Sequence, residues 1–322
     1  MARQFEDIKA VRSQVPLLIG IMGPSGGGKT FSALRLASGV KRIVGGETFV
    51  IDTESRRSLH YADQFDFRHV AFEAPFSPLD YLQAVDYCIS RGAKTIVIDS
   101  QSHEHEGPGG VLEMHEAEVQ RLSRGDEAKA NAVKMLAWSR PKQERRRYLN
   151  SLLQRQCNFI FCFRAKEKVK PDKSEKSGIA ELGFMPIAGE EFLYEMTVNF
   201  LLLPGANGEP TWQTKMSGEK AMIKLPKQFR SIFTGGSLAE DHGEAMAKWA
   251  LGDAGPGISA AAAILLDHIA GAETTDMLEE LKKRANEQRA KMSAADRAAL
   301  KAAFEERFDA IKPERQPGDD EV

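Results

Sequence analysis

Cysteine is scarce in this chain, and long apolar runs are missing from it. The three cysteines, Cys88, Cys157 and Cys162, show no metal-ligand spacing, and two of them fall inside an apolar strand-like run, where an inert buried thiol is expected. No apolar stretch approaches the roughly 18 residues that a membrane-spanning helix requires. Met1 to Val15 has mixed charge and lacks the apolar centre of a signal peptide. A formal net charge of −2 leaves no global basic field, so any nucleic-acid surface must be a local patch. No internal repeat is visible. These absences predict a reduced, soluble, cytoplasmic protein with no membrane partner. At 322 residues the chain is long enough for one sizeable α/β domain and an appendage.

What is present is organised around Gly23-Pro24-Ser25-Gly26-Gly27-Gly28-Lys29-Thr30. The apolar run Pro16 to Met22 leads into it, and Phe31 to Ala37 follows with helical character. Strand, glycine loop and helix with G-x-x-x-x-G-K-[ST] at the join form the P-loop context. Glycines let successive backbone N–H groups converge on an anion, and the helix N-terminus adds its partial positive charge. The predicted nucleotide-binding set is Gly23, Pro24, Ser25, Gly26, Gly27, Gly28, Lys29, Thr30 and Phe31, with ATP as the ligand. Lys29 reaches the β- and γ-phosphates as a mobile charge, and the Thr30 hydroxyl is suited to Mg²⁺.

Further along, Glu47 to Glu54 is a short β-type run ending in acids, Phe67 to Phe72 another, and Pro78 to Arg91 a helix. Lys94 to Ser100 and Asn158 to Phe163 read as buried strands, separated by a polar helical stretch from Val111 to Gln156 with breaks at Gly125 and Pro141. Strands alternating with helices predict an α/β fold with a mostly parallel sheet covered by helices. Met196 to Leu203, Thr211 to Met216 and Ala221 to Leu225 read as antiparallel strands at the sheet edge. Trp138 and Trp249 read as packing residues. The domain expectation is a segment 1–15, an ATPase domain 16–236, a helix and linker 237–257, a helical module 258–312 with caps at Thr275 and Ser293, and a disordered acidic tail 313–322.

Asp99 ends the strand-like run Thr95-Ile96-Val97-Ile98, the form of a Walker B strand, where a carboxylate can hold Mg²⁺ beside Thr30. Glu54 ends the strand between the P-loop and Asp99, within reach of the phosphate crevice if the strands are neighbours, and can polarise the attacking water. Taken together, Phe49 to Glu54, Gly92 to Ser100 and Gln156 to Phe161 resemble in order and spacing the core of RecA-type ATPases. Residues 16–235 resemble the phage-encoded P-loop ATPases pared down to a RecA-like core. That resemblance implies Glu54 as catalytic base, Asp99 as Walker B carboxylate and Ser100 as its small polar neighbour. It places the γ-phosphate sensor in Phe163-Arg164-Ala165-Lys166, with Arg164 favoured and Lys166 and Lys168 as competitors, where RecA itself has Gln. It implies a homo-oligomer acting on DNA in recombination or single-strand annealing. The P-loop begins only at Gly23, so a RecA-type N-terminal polymerisation segment is not expected. The C-terminal helices resemble the helical tails of phage recombination proteins, which implies such proteins as partners.

Two local basic stretches are candidates for single-stranded DNA. Arg164 to Lys176 holds six basic and three acidic residues, among them Lys166, Lys168, Lys170, Lys173 and Lys176, and reads as a mobile loop following a phosphate backbone. Arg140 to Arg147 holds five basic residues and one acid, a pattern that more often marks a solvated face. His103, His105 and His115 with adjacent glutamates invite a metal reading, but H-E-x-x-H is absent. Two other functions stay open at this point: a nucleotide-dependent switch that binds a protein partner without DNA, and a small-molecule kinase.

Overall fold

The computed structural model describes Arg12 and residues 15–172, 178–252, 259–289, 292 and 294–311. They belong to two compact units, residues 16–247 and a second that joins the residues from 248 onward to the N-terminal segment.

In the first unit the strands β1 (Leu18–Gly23), β2 (Glu47–Asp52), β3 (Arg68–Ala71), β4 (Ala93–Asp99), β5 (Asn158–Pro171) and β7 (Val198–Leu201) form one sheet, in the order β3-β2-β4-β5-β1-β7. Every neighbouring pair along that path is parallel. β1, β4 and the first half of β5 are buried, mostly apolar runs because both faces of the sheet are covered there, as parallel sheets require, whereas the edge strand β3 is partly exposed. Phe159, Phe161 and Phe163 of β5 join a core with Tyr81, Val85 and Cys88 of α2 (Pro78–Ser90) and with Tyr148, Leu149 and Leu152 of α6 (Ser139–Leu153). The pleat sends the alternate residues, Ile160 and Cys162, to the opposite face. There α1 (Lys29–Val44) packs along β1, β4 and β5 with Ala33, Leu34, Leu36, Ala37 and Val40 buried. All three cysteines are buried and free, and burial pushes the Cys88 and Cys157 thiols up to about 12.

Several local expectations are corrected. Between β4 and α6 the chain forms α3 (His103–Glu106), α4 (Val111–Ser123) and α5 (Glu127–Ala137). Pro141 does not break the helical stretch. It lies in the first turn of α6, where the backbone N–H it lacks has no partner within the helix, and the break falls at Trp138 instead. As far as Pro171, the lysine-rich segment after Phe163 is not a loop. From Ala165 it continues β5 and pairs antiparallel with β6 (Ile179–Pro186). Beyond α7 (Glu190–Glu195), β7 joins β1 in parallel rather than as an antiparallel edge strand. Thr211 and Lys224 make single antiparallel bridges to Leu201 and Asn199, and Ser217–Met222 is a helix, α8. Its Glu219 is buried and accepts the Phe184 N–H, so α8 fastens the hairpin. A further helix, α9, spans Glu240–Leu251.

In the second unit α10 (Ala260–Ala270), α11 (Thr275–Gln288) and α12 (Ala294–Ile311) surround Leu265, Ile269, Leu278, Leu281, Leu300 and Phe304. The α11 cap is Thr274 rather than Thr275, its hydroxyl accepting the Met277 N–H. The guanidinium of Arg12 lies over the Trp249 ring at 4.9 Å. Ser293, the linker core 253–257 and the tail from 312 lie outside the described residues.

Candidate active site

The strand order sets the site. β5 lies between β1 and β4, and the register pairs Gly23 with Arg164, Asp99 with Cys162, and Asp52 with Asp99. The glycine loop, Arg164, Asp99 and Glu54 therefore gather at the carboxyl ends of the parallel strands, where open α/β sheets place their ligands.

Two of the loop's glycines meet backbone that leaves no room for a side chain. Gly28 has φ +91°, and an added Cβ would lie 2.8 Å from the Gly208 nitrogen. At Gly23 an added Cβ would lie 2.2 Å from the Leu202 carbonyl oxygen. The segment after β7 thus presses on the back of the loop, and the Gly208 N–H donates to the Gly27 carbonyl at 3.2 Å. Lys29 Nζ donates to the Pro24 carbonyl of the same loop at 2.8 Å.

The Thr30 hydroxyl donates to Asp99 Oδ2 at 2.5 Å. Asp99 is buried, and desolvation pushes its carboxyl up to about 6, with Glu54 and Asp52 adding and Thr30 and Lys29 opposing. A hydroxyl beside a carboxylate, both hard oxygen donors at the loop's helix start, is a donor set that fits Mg²⁺.

Glu54 is held by both oxygens. Arg164 Nε donates to Oε1 at 2.8 Å, and Arg57 donates to Oε2 at 2.9 Å. Burial alone would push the Glu54 carboxyl up; Arg164 and then Arg57 outweigh it and hold the carboxyl below the ordinary glutamate range. Asp52 shapes the turn that carries Glu54, since its carboxylate accepts the Glu54 N–H, the Ser58 N–H and the Ser58 hydroxyl. Thr53 ties the ends of β2 and β4 together: its N–H donates to the Asp99 carbonyl, and its hydroxyl accepts the Ser100 N–H. His103 Nδ1 lies 2.8 Å from the same hydroxyl, and burial and Arg164 push this imidazole below its ordinary value.

The other sequence candidates disperse. His105 Nδ1 accepts from Arg145, and His115 stacks on Trp138, so the three histidines occupy separate surroundings. Among the described residues no group of histidine, cysteine and carboxylate side chains suits a metal ion. Arg145 is buried at 6% exposure and makes a two-pronged pair with buried Glu104, both contacts at 3.0 Å. It is a structural residue rather than part of a solvated basic face. Lys166, Lys168 and Lys170 are exposed on the β5–β6 hairpin, whereas Lys173 and Lys176 lie outside the described residues.

Sequence reasoning passed over Arg57, Tyr61 and Phe65. Phe31, 37% exposed, packs its ring against those of Tyr61 at 5.7 Å and Phe65 at 5.3 Å, beside the start of the P-loop helix. Aromatics at 7 and 11 residues past Glu54 were the available signal.

A glycine loop that opens a helix from the end of an interior parallel strand, with a threonine and a Walker-type aspartate touching across it, defines a P-loop nucleoside triphosphatase. The family described as AAA domain matches residues 16–199, more than half of the chain, and the chain belongs to it: this is an AAA-type P-loop ATPase. No curated protein matches the sequence. No helix among the described residues is long and apolar enough to cross a membrane.

Proposed function

We propose that this protein hydrolyses ATP with Glu54 as general base and uses the nucleotide state to govern contact with single-stranded DNA through the β5–β6 hairpin. The observation that carries the reading is the Glu54–Arg164 pair. It joins the carboxylate to the strand that runs on, without interruption, into the exposed lysines.

Lys29 exchanges the Pro24 carbonyl for the β- and γ-phosphates. Thr30 and Asp99 would hold Mg²⁺, which supplies charge neutralisation between those phosphates. Glu54 takes a proton from the attacking water as the water oxygen bonds to the γ-phosphorus. The bond from that phosphorus to the bridging oxygen breaks, leaving ADP and inorganic phosphate. Arg164, adjacent to Gly23 in the sheet, is suited to follow the terminal phosphate, and its change of partner frees Glu54. Phe31, Tyr61 and Phe65 offer ring faces beside the phosphate loop, the surroundings a nucleobase favours.

Lys166, Lys168 and Lys170 supply the backbone-tracking charge expected of a sequence-tolerant single-strand contact. The test is steady-state ATP hydrolysis with and without single-stranded DNA across a salt series. Stimulation that fades with salt supports the reading. Hydrolysis indifferent to DNA, with no DNA retained at low salt, replaces it with a nucleotide-dependent switch acting on a protein partner.

A further inference from the structure

Glu54 meets two guanidinium groups, and they reach it from different sides. Arg164 belongs to β5 and pairs in register with Gly23, so it borders the phosphate site. Arg57 starts the short 3₁₀ turn Arg57–Tyr61, with its side chain 61% exposed while that of Glu54 is 13% exposed. A terminal phosphate can draw Arg164 off the carboxylate. Arg57 reaches the carboxylate from the solvent side.

The backbone is built to keep Arg57 there. Ser55 and Arg56, the two residues between the partners, both adopt the left-handed region, with φ of 56° and 66°. Side chains seldom tolerate that conformation, and consecutive examples persist only where surrounding contacts impose them. Here the Asp52 carboxylate imposes it, one oxygen accepting the Glu54 N–H and the other accepting both donors of Ser58. The clamp grips the chain on each side of the strained pair and brings Arg57 back over Glu54.

A carboxylate with both oxygens engaged by cations is a weaker proton acceptor than a free one, because the contacts lower its proton affinity and occupy its lone pairs. We propose that Arg57 is a positioning residue that restrains the general base, holding Glu54 Oε2 so that basal turnover is slow. This rests on the assignment of Glu54 as base. The charged and titratable groups that face Glu54 are Arg164, Arg57, Asp99, His103 and Cys162. Arg57 is the one on the exposed turn, so its removal leaves the packed groups in place.

The experiment is steady-state ATP hydrolysis by the full chain as Arg57→Ala, Arg57→Lys and Glu54→Gln, each measured over a pH series without DNA. Arg57→Ala is expected to raise kcat by roughly three- to tenfold, the response of a base whose proton affinity rises by about one pK unit. KM for ATP should stay the same, and the acid limb of kcat should move to higher pH. Arg57→Lys, which keeps the charge and loses the planar fork, should fall between wild type and Arg57→Ala. A kcat for Arg57→Ala at or below wild type, or an acid limb that does not move, overturns the proposal. If Glu54→Gln hydrolyses ATP normally, the base assignment fails and this inference with it. If Glu54→Gln is inactive while Arg57→Ala behaves as wild type, the restraint alone is wrong.

Discussion

Glu54 and Arg164 stand 110 residues apart in the chain and meet at 2.8 Å, the carboxylate from the end of β2 and the guanidinium from β5. Two strands separated by β4 thus share one ion pair at the phosphate edge of the sheet. In the proposed mechanism the carboxylate assigned to take the water's proton is therefore also the partner of the group assigned to follow the terminal phosphate.

Glu54→Gln keeps the shape of the side chain and removes its basicity. Turnover should fall by roughly 10²- to 10⁴-fold, with ATP affinity retained in a fluorescent-nucleotide titration. Lys29→Ala should lose productive nucleotide binding instead, because the phosphates lose their mobile counter-charge.

The pH profile follows from the same pair. With Arg164 in contact the Glu54 carboxyl lies below its ordinary value, so the base of the nucleotide-free enzyme stays ionised as pH falls through the usual glutamate range, and kcat/KM should decline only below it. Arg164→Ala removes the larger of the two cationic contacts and should lift that acid limb. A limb in the ordinary range for wild type and variant alike would separate hydrolysis from this carboxylate.

The buried pair of Glu104 and Arg145 makes a stability prediction. Both side chains are nearly inaccessible, so Arg145→Ala strands a carboxylate, and it should cost about 3–5 kcal/mol in denaturant unfolding. Replacing both partners, Glu104→Leu with Arg145→Met, should cost less than the single change, since no unpaired charge stays behind.

For the hairpin, Lys168→Ala should weaken single-stranded DNA binding for all sequences alike and reduce the salt dependence by about one charge. Fluorescence anisotropy over a salt series reads both quantities.

Tyr61→Ala takes a ring from the cluster beside the P-loop helix. KM for ATP should rise by roughly three- to tenfold, with kcat nearly unchanged, given about 1 kcal/mol for an aromatic contact of this kind.

The glycine loop and the acid-ended strands were legible in the sequence because each couples a buried apolar run to a local signature. Gly23 to Thr30, Glu54 and Asp99 are therefore found at the strand ends where their spacing put them. The hairpin was not legible. Lys166-Glu167-Lys168-Val169 has no apolar alternation, and it is strand because β6 supplies its backbone partners, while β6 is itself held at the Phe184 N–H by buried Glu219 from farther along the chain. Arg145 misled for a related reason: a run of arginines shows its charge but not the helix face that turns one of them toward Glu104. Arg57 was hidden because its contact depends on two left-handed residues that no spacing rule reveals.

The segment after β7 stands against the rear of the glycine loop, its Leu202 carbonyl and Gly208 nitrogen where side chains at Gly23 and Gly28 would otherwise lie. A cradle backed in this way is set before any nucleotide arrives, so it greets the phosphates shared by ATP and ADP in the same manner. In the proposed mechanism, telling the two apart then falls to side chains whose partners can change, Lys29, Glu54 and Arg164. On that mechanism the reading of the nucleotide is divided between a fixed backbone mould for the diphosphate and exchangeable charges for the terminal group.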